Sequence, residues 1–283
     1  MKLGMNLLLW TTAVRDEHLP LFSRLKETGF DGVEVPLAEA SDAHYRKIRK
    51  ELDAAGLACT TVVLVHADSN PISPDAGVRR AAVERLKWAV DRTELLGGEV
   101  VCGPFHSAYK IFTGRGPTED EKKWGADVLR EAGVAAAQAK IRMAVEFLNR
   151  FECYFLNTTA DTCDHLRRVD HPSVELLYDT HHANIEERDV AAAIAGAGRT
   201  IGHVHVSESH RGTLGEGQVR WPETFRALKK IGYDRWLVIE AFSRLQPDFA
   251  AAVHIWRDCF TSPEQLYRDG HRFIRERWTD PTM

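Results

Sequence analysis

Short apolar runs of strand length alternate with longer segments in which apolar residues return every three or four positions, and the alternation holds along the whole chain. LGMNLLL predicts a first strand, HLPLFSRLKETG a helix closed by Gly29, and GVEVP a second strand. SDAHYRKIRKELDAAG predicts a helix with Ser41 as its N-cap and Gly56 as its C-cap. ACTTVVLV and EVVCGP predict strands three and four, on either side of a long amphipathic helix that ends at Gly97–Gly98. Residues 106–117, with Gly114, Gly116 and Pro117, predict a loop, and TEDEKKWGADVLREAGVAAAQAK a helix. Four more apolar runs predict strands five to eight, separated by helices around DTCDHLRRV, RDVAAAIAGAG and WPETFRALKKIG. A helical tail follows over about 247–283, with a break near Ser262–Pro263. Eight strands and eight helices in strict alternation predict a parallel sheet. Right-handed crossovers close such units into a (β/α)8 TIM barrel, an α/β fold forming a single domain over 1–283.

Strands five to eight stop at Glu146, Asp179, His205 and Glu240, spaced by 33, 26 and 35 residues. Each spacing is about one strand plus one helix. In a barrel of this kind the C-terminal strand ends converge on one mouth, so four residues distant in sequence would meet. Three carboxylates and one imidazole make an oxygen-rich set. It suits Mn²⁺, Mg²⁺ or Co²⁺ better than a structural zinc, which favours thiolate and imidazole. Three negative charges brought together repel, so the set calls for a cation or a retained proton.

Composition narrows the partners. The chain has 283 residues, 44% of them hydrophobic and 28% charged, with a formal net charge of −4 and the two signs interspersed. No basic stripe marks a nucleic-acid surface. Five scattered cysteines without a CxxC predict reduced thiols and a cytoplasmic protein. The start, MKLGMNLLLWTT, meets Arg15, Asp16 and Glu17 at once and predicts a barrel strand rather than a signal peptide. No window approaches the roughly 20 apolar residues of a membrane span.

The words around the four residues are more specific than the residues themselves: LNRFE after Glu146, THHANIEE after Asp179, GHVHVSESHRGTLGEGQVRW around His205, and VIEAF around Glu240. With NPISPDAGVRRAAVERLK and the GP after strand four, they resemble the ketose 3-epimerases (D-tagatose, D-allulose or psicose, and L-ribulose 3-epimerase) of the xylose-isomerase-like barrel superfamily. The resemblance implies a Mn²⁺- or Co²⁺-dependent epimerase acting at C3 of a free ketose. It implies that Glu146, Asp179, His205 and Glu240 bind the metal and that Glu146 and Glu240 also move protons. It implies further that Glu152, His182 and Arg211 contact the sugar, and that the protein is a homodimer or homotetramer. An aromatic tail bearing Trp256, Phe260, Tyr267 and Trp278 offers a subunit contact. One departure is Phe147, where the family commonly has proline after the first glutamate.

Inverting C3 of a 2-ketose requires a proton to leave a carbon next to a carbonyl and another to arrive on the opposite face. Two carboxylates flanking C3 meet that need. Trp10 and His106 are placed at the sugar pocket, Glu34 as an acid behind the ligands, and His181 and His203 as structural. Rival readings on the same barrel are a hydroxypyruvate isomerase or a pentulose-phosphate 3-epimerase, with Arg211, Arg244 and the glycines near Gly215 available to a phosphate. Two others are an endonuclease IV-like enzyme, which needs more metal ligands and a basic face, and a sugar-binding barrel without catalysis.

Overall fold

A computed structural model describes residues 1–38 and 40–280. Its eight parallel strands are β1 (Lys2–Asn6), β2 (Gly32–Pro36), β3 (Ala58–Val62), β4 (Val100–Gly103), β5 (Arg142–Glu146), β6 (Val174–Asp179), β7 (Ile201–Val206) and β8 (Trp236–Ile239). They pair in sequence order, and β8 returns to β1, closing the barrel. The helices between them form the outer layer, as expected of the (β/α)8 TIM barrel. Ser41 and Gly56 cap the helix α2 (Asp42–Ala55): the Ser41 hydroxyl accepts from the His44 amide, and Gly56 takes the left-handed conformation at φ 67°.

Alternation along each strand sorts the side chains into two environments. Leu3, Met5, Val33, Val35, Met143, Val145, Leu237 and Ile239 belong to the large core between sheet and helices. The barrel interior is narrower and holds a small apolar group of Val62, Val100, Cys102, Ala144, Leu177, Trp236 and Val238. Trp236 fills the space that Gly4 and Gly32 leave open. A Cβ on Gly32 would stand 2.4 Å from the Ala58 carbonyl oxygen and 2.6 Å from the Trp236 ring. Gly32→Ala should therefore cost about 1–3 kcal/mol of stability through overpacking, read as a lower urea midpoint with an unchanged slope.

The structure differs from the sequence reading in two places. β1 stops at Asn6, and Leu7–Leu9 form a 3-10 turn, because the Asn6 side chain accepts from the Leu8 amide at 2.9 Å. THHANIE forms an additional helix α6 (Thr180–Glu186) directly after β6, so strict alternation of one helix per strand fails there. The tail breaks before Pro263 as expected: its helices are Pro247–Ala252 and Pro263–Thr279, the second capped by Ser262. The end of the expected tail, 281–283, lies outside the described residues. Among the described residues no helix is long and apolar enough to cross a membrane.

Candidate active site

The four strand-end residues meet at the C-terminal mouth. Glu146, Asp179, His205 and Glu240 each offer an atom within 4.8 Å of the others, and all are buried. The centre of the group is His205 Nδ1, which lies 3.7 Å from Glu146 Oε1, 3.8 Å from Asp179 Oδ2 and 3.5 Å from Glu240 Oε1. These separations are too long for hydrogen bonds, and Nδ1 is a buried nitrogen without a hydrogen-bond partner. They resemble the distances between neighbouring ligands around one ion, about 3.0–3.5 Å for ligand bonds near 2.1 Å. The other ring nitrogen, Nε2, lies 2.7 Å from Glu34 Oε1. An imidazole held this way by a carboxylate offers its bare nitrogen to a metal. The residues therefore form a group able to hold a divalent cation.

Charge is distributed unevenly within the group. Burial, with Glu240 and Asp179 adding to it and His205 opposing, pushes the Glu146 carboxyl up to about 8. Burial also disfavours the charged form of Asp179, but Arg211, then His182 and His205, outweigh it and hold that carboxyl well below its ordinary value. The Asp179 side chain has a second task. It accepts from the His181 and His182 amides and so caps the additional helix α6. A ligand that is also an N-cap has little freedom to swing away.

His182 is carried on that helix, next to Glu146. Its Nδ1 accepts from the Asn149 amide at 3.1 Å, which leaves Nε2 facing Glu146 Oε1 at 3.5 Å. Burial keeps the ring neutral, with its pKa lowered to about 3. Arg211 sits in the loop after β7, in a left-handed backbone conformation at φ 60°. Its Nη1 donates to Asp179 (2.9 Å), Ser207 Oγ (2.8 Å) and Glu240 (2.6 Å), while its Nη2 lies 3.1 Å from His182 Nε2. Such strain persists only where the surroundings over-determine it. Here the buried Glu208 does so, accepting from the Ser209, Gly215 and Val219 amides and from the Trp221 ring. Glu152 accepts from the Asn149 side chain at 2.9 Å.

A cavity of about 360 Å³ opens above the group, lined by Glu146, Glu152, His182, Arg211 and Glu240 with Tyr109 beside them. Its aromatic wall is not Trp10, which packs on Tyr267 at 6.0 Å and is absent from the lining. Phe242 and Phe249 supply it instead. Trp10 stands at the end of the 3-10 turn Leu7–Leu9. His106 is likewise absent from the lining. It is fully buried behind the lining, bonded to Ser107 Oγ and packed against Phe155, and burial lowers its pKa to about 3. Asn6, Ser207, Glu208 and Tyr109 escaped the sequence reading. Only Asn6 carried a signal, as the one polar side chain inside an apolar run.

The description "xylose isomerase-like TIM barrel" matches this chain over residues 22–277, and the chain belongs to that family. A ketose 3-epimerase from Arthrobacter globiformis is 33% identical over 282 residues, spanning 99% of this chain and 97% of the relative. An L-ribulose 3-epimerase from Mesorhizobium japonicum is 29% identical across 96% of this chain and 93% of its own length. A solved L-ribulose 3-epimerase superposes with a TM-score of 0.93 at 30% identity, covering 98% of this chain and 94% of that one. A D-psicose 3-epimerase from Clostridium cellulolyticum H10, solved with D-tagatose, gives 0.90 at 28% identity, covering 98% and 99%. Within the family, the chain falls among the ketose 3-epimerases.

Proposed function

We propose that this protein epimerises free ketoses of the D-tagatose, D-fructose/D-allulose or L-ribulose type at C3, with Glu146 and Glu240 as the two proton carriers. The observation that carries the reading is the placement of these carboxylates at the ends of β5 and β8. The two strands are three apart around an eight-strand ring, and the carboxylates flank one shared imidazole nitrogen at 3.7 and 3.5 Å. Groups that approach from separate directions can serve opposite faces of one carbon. Glu146, Asp179, His205 and Glu240 would hold a divalent cation, Mn²⁺ in this reading, with Co²⁺ or Mg²⁺ as substitutes. Such an ion supplies Lewis acidity where negative charge develops beside the carbonyl.

The remaining steps belong to the side chains. One glutamate takes the C3 proton, leaving an enediolate, and the other returns a proton to the opposite face. His182 hydrogen-bonds the C1–C2 end of the sugar. Arg211 and Glu152 bind hydroxyl groups and hold the carbon between the two carboxylates. Arg211 already neutralises Asp179 and Glu240, so Arg211→Ala should raise KM by roughly 10–100-fold, the worth of a charge-assisted hydrogen bond. Its kcat should fall by less, as steady-state kinetics on metal-loaded protein would record. An equal fall in kcat for Arg211→Ala and Glu240→Gln would contradict this division of labour.

A free sugar is favoured over a phosphate ester because Arg211 and Arg244, the two arginines named for a phosphate, are both committed to carboxylates. Arg244 pairs with Asp258 at 3.2 Å, and Arg211 with Asp179 and Glu240. The protein would work in the cytoplasm as a homodimer or homotetramer. Incubating metal-loaded protein with D-tagatose, D-fructose and L-ribulose, and separately with their phosphate esters, tests the reading. Conversion of the esters alone would overturn it.

A further inference from the structure

We infer that Glu34 is the residue that selects which nitrogen of His205 faces the metal, and that Asn6 ties the same carboxylate to Glu240. Both are positioning residues. The inference rests on the reading of His205 as a metal ligand and extends it one layer down the barrel.

Glu34 is fully buried inside the barrel, where an ionised carboxylate survives only if its oxygens are satisfied. Its partners come from five other strand positions: Asn6 Nδ2 at 2.9 Å, Thr60 Oγ1 at 2.9 Å, Cys102 Sγ at 3.1 Å, His203 Nε2 at 2.9 Å and His205 Nε2 at 2.7 Å. A carboxylate only accepts, so the His205 proton facing it sits on Nε2. In the neutral ring that ligation requires, Nδ1, on the far side, is then the nitrogen with the lone pair, and it is the one surrounded by Glu146, Asp179 and Glu240.

Asn6 extends the chain of contacts. Its Oδ1 is engaged by the Leu8 amide, so its NH2 must point inward. There Nδ2 reaches Glu34 Oε1 at 2.9 Å and Glu240 Oε1 at 3.2 Å, one hydrogen to each carboxylate. The run His205–Glu34–Asn6–Glu240 therefore links a metal ligand to a proton carrier beneath the reacting centre. The four side chains Glu34, Cys102, His203 and His205 are also close enough to hold an ion of their own. Their short hydrogen bonds to one carboxylate already satisfy the contacts that ligation would need, which favours the positioning role.

Glu34→Gln keeps the shape but replaces one accepting oxygen by a donor. In calorimetric titration of the chelator-stripped protein with Mn²⁺, it should weaken binding by about 10–100-fold, the usual effect of removing a partner of a metal-binding histidine. Thr61→Val loses a comparably buried hydrogen bond, to Thr93 at 2.6 Å, on the helix side of β3. It should bind Mn²⁺ as the parent does. Combining Asn6→Ala with Glu34→Gln should weaken binding by less than the product of the two single effects. If Glu34→Gln fails to fold, the parent protein still decides the matter. A ¹H–¹⁵N correlation of its histidine rings with Mg²⁺ bound should show His205 protonated at Nε2 and bare at Nδ1. Three results would overturn the proposal: unchanged Mn²⁺ affinity in a folded Glu34→Gln, a proton on Nδ1, or two tightly bound ions per chain. None of these readouts depends on which sugar is turned over, so failure here and failure of the ketose reading are separable.

Discussion

Glu240→Gln is expected to lose epimerisation by at least about 10⁴-fold, the top of the range for a positioned acid–base group, because it also withdraws a charge from the metal-binding set. Glutamine keeps the size of Glu240 and an oxygen that can accept from one of the two donors that hold it, Arg211 or Asn6, so the fold should persist. The more informative readout is deuterium exchange at C3 in heavy water. Two carriers on opposite faces each deprotonate one epimer. Removing one should abolish exchange from one epimer while sparing a residual exchange from the other, and Glu146→Gln should show the reverse preference. Exchange surviving from the same epimer in both variants would mean that a single group does all the proton transfer, and the two-carboxylate mechanism would fall. Both variants must be compared at saturating metal, since each also removes a ligand charge.

The contrast between Glu240 and Asn6 shows how far the sequence can be read. Glu240, like Glu146, Asp179 and His205, ends an apolar run, and the spacing of the runs sets the strand order. Barrel closure then brings the four together without any knowledge of register. Asn6 and Glu34 lie one layer lower, and their meeting depends on the pairing Asn6↔Glu34 between β1 and β2. No local pattern specifies that register. The Asn6 side chain also ends its strand early, and the last three residues of the expected strand form a 3-10 turn instead. His106 stands behind the lining for another reason. A histidine just past a strand end can face either the mouth or the helix layer, and here Phe155 and His165 receive it on the helix side. The additional helix α6 went unread because its cap, Asp179, was already assigned as a ligand, and one carboxylate performs both tasks.

Metal removal should have the second largest effect, and its pH dependence follows from the same cluster. Stripping the ion with a chelator is expected to abolish turnover and to lower Tm. At an ion concentration of about 1,000 Kd, mass action stabilises the native state by roughly 4 kcal/mol, or on the order of 10 °C in a chain of this size. In the stripped protein, burial holds Glu146 up at about 8 against an ordinary 4.5. Burial opposes a charged His205, yet Glu34 and Glu240 outweigh it and raise its pKa well above 6.5. Both groups bind protons more tightly folded than unfolded. The stability they contribute is complete below their unfolded values and is lost as pH rises through the folded ones. The lowered groups act elsewhere: Asp179 and Glu34 below their ordinary values of 3.8 and 4.5, and His182 between about 3 and 6.5. Between about pH 7 and 8 the stripped protein should therefore lose stability. The loaded protein should not, because the ion takes the place of those protons. Thermal unfolding of both forms at the two pH values measures the gap directly. A gap that narrows with rising pH would show that these four side chains do not exchange protons for a cation.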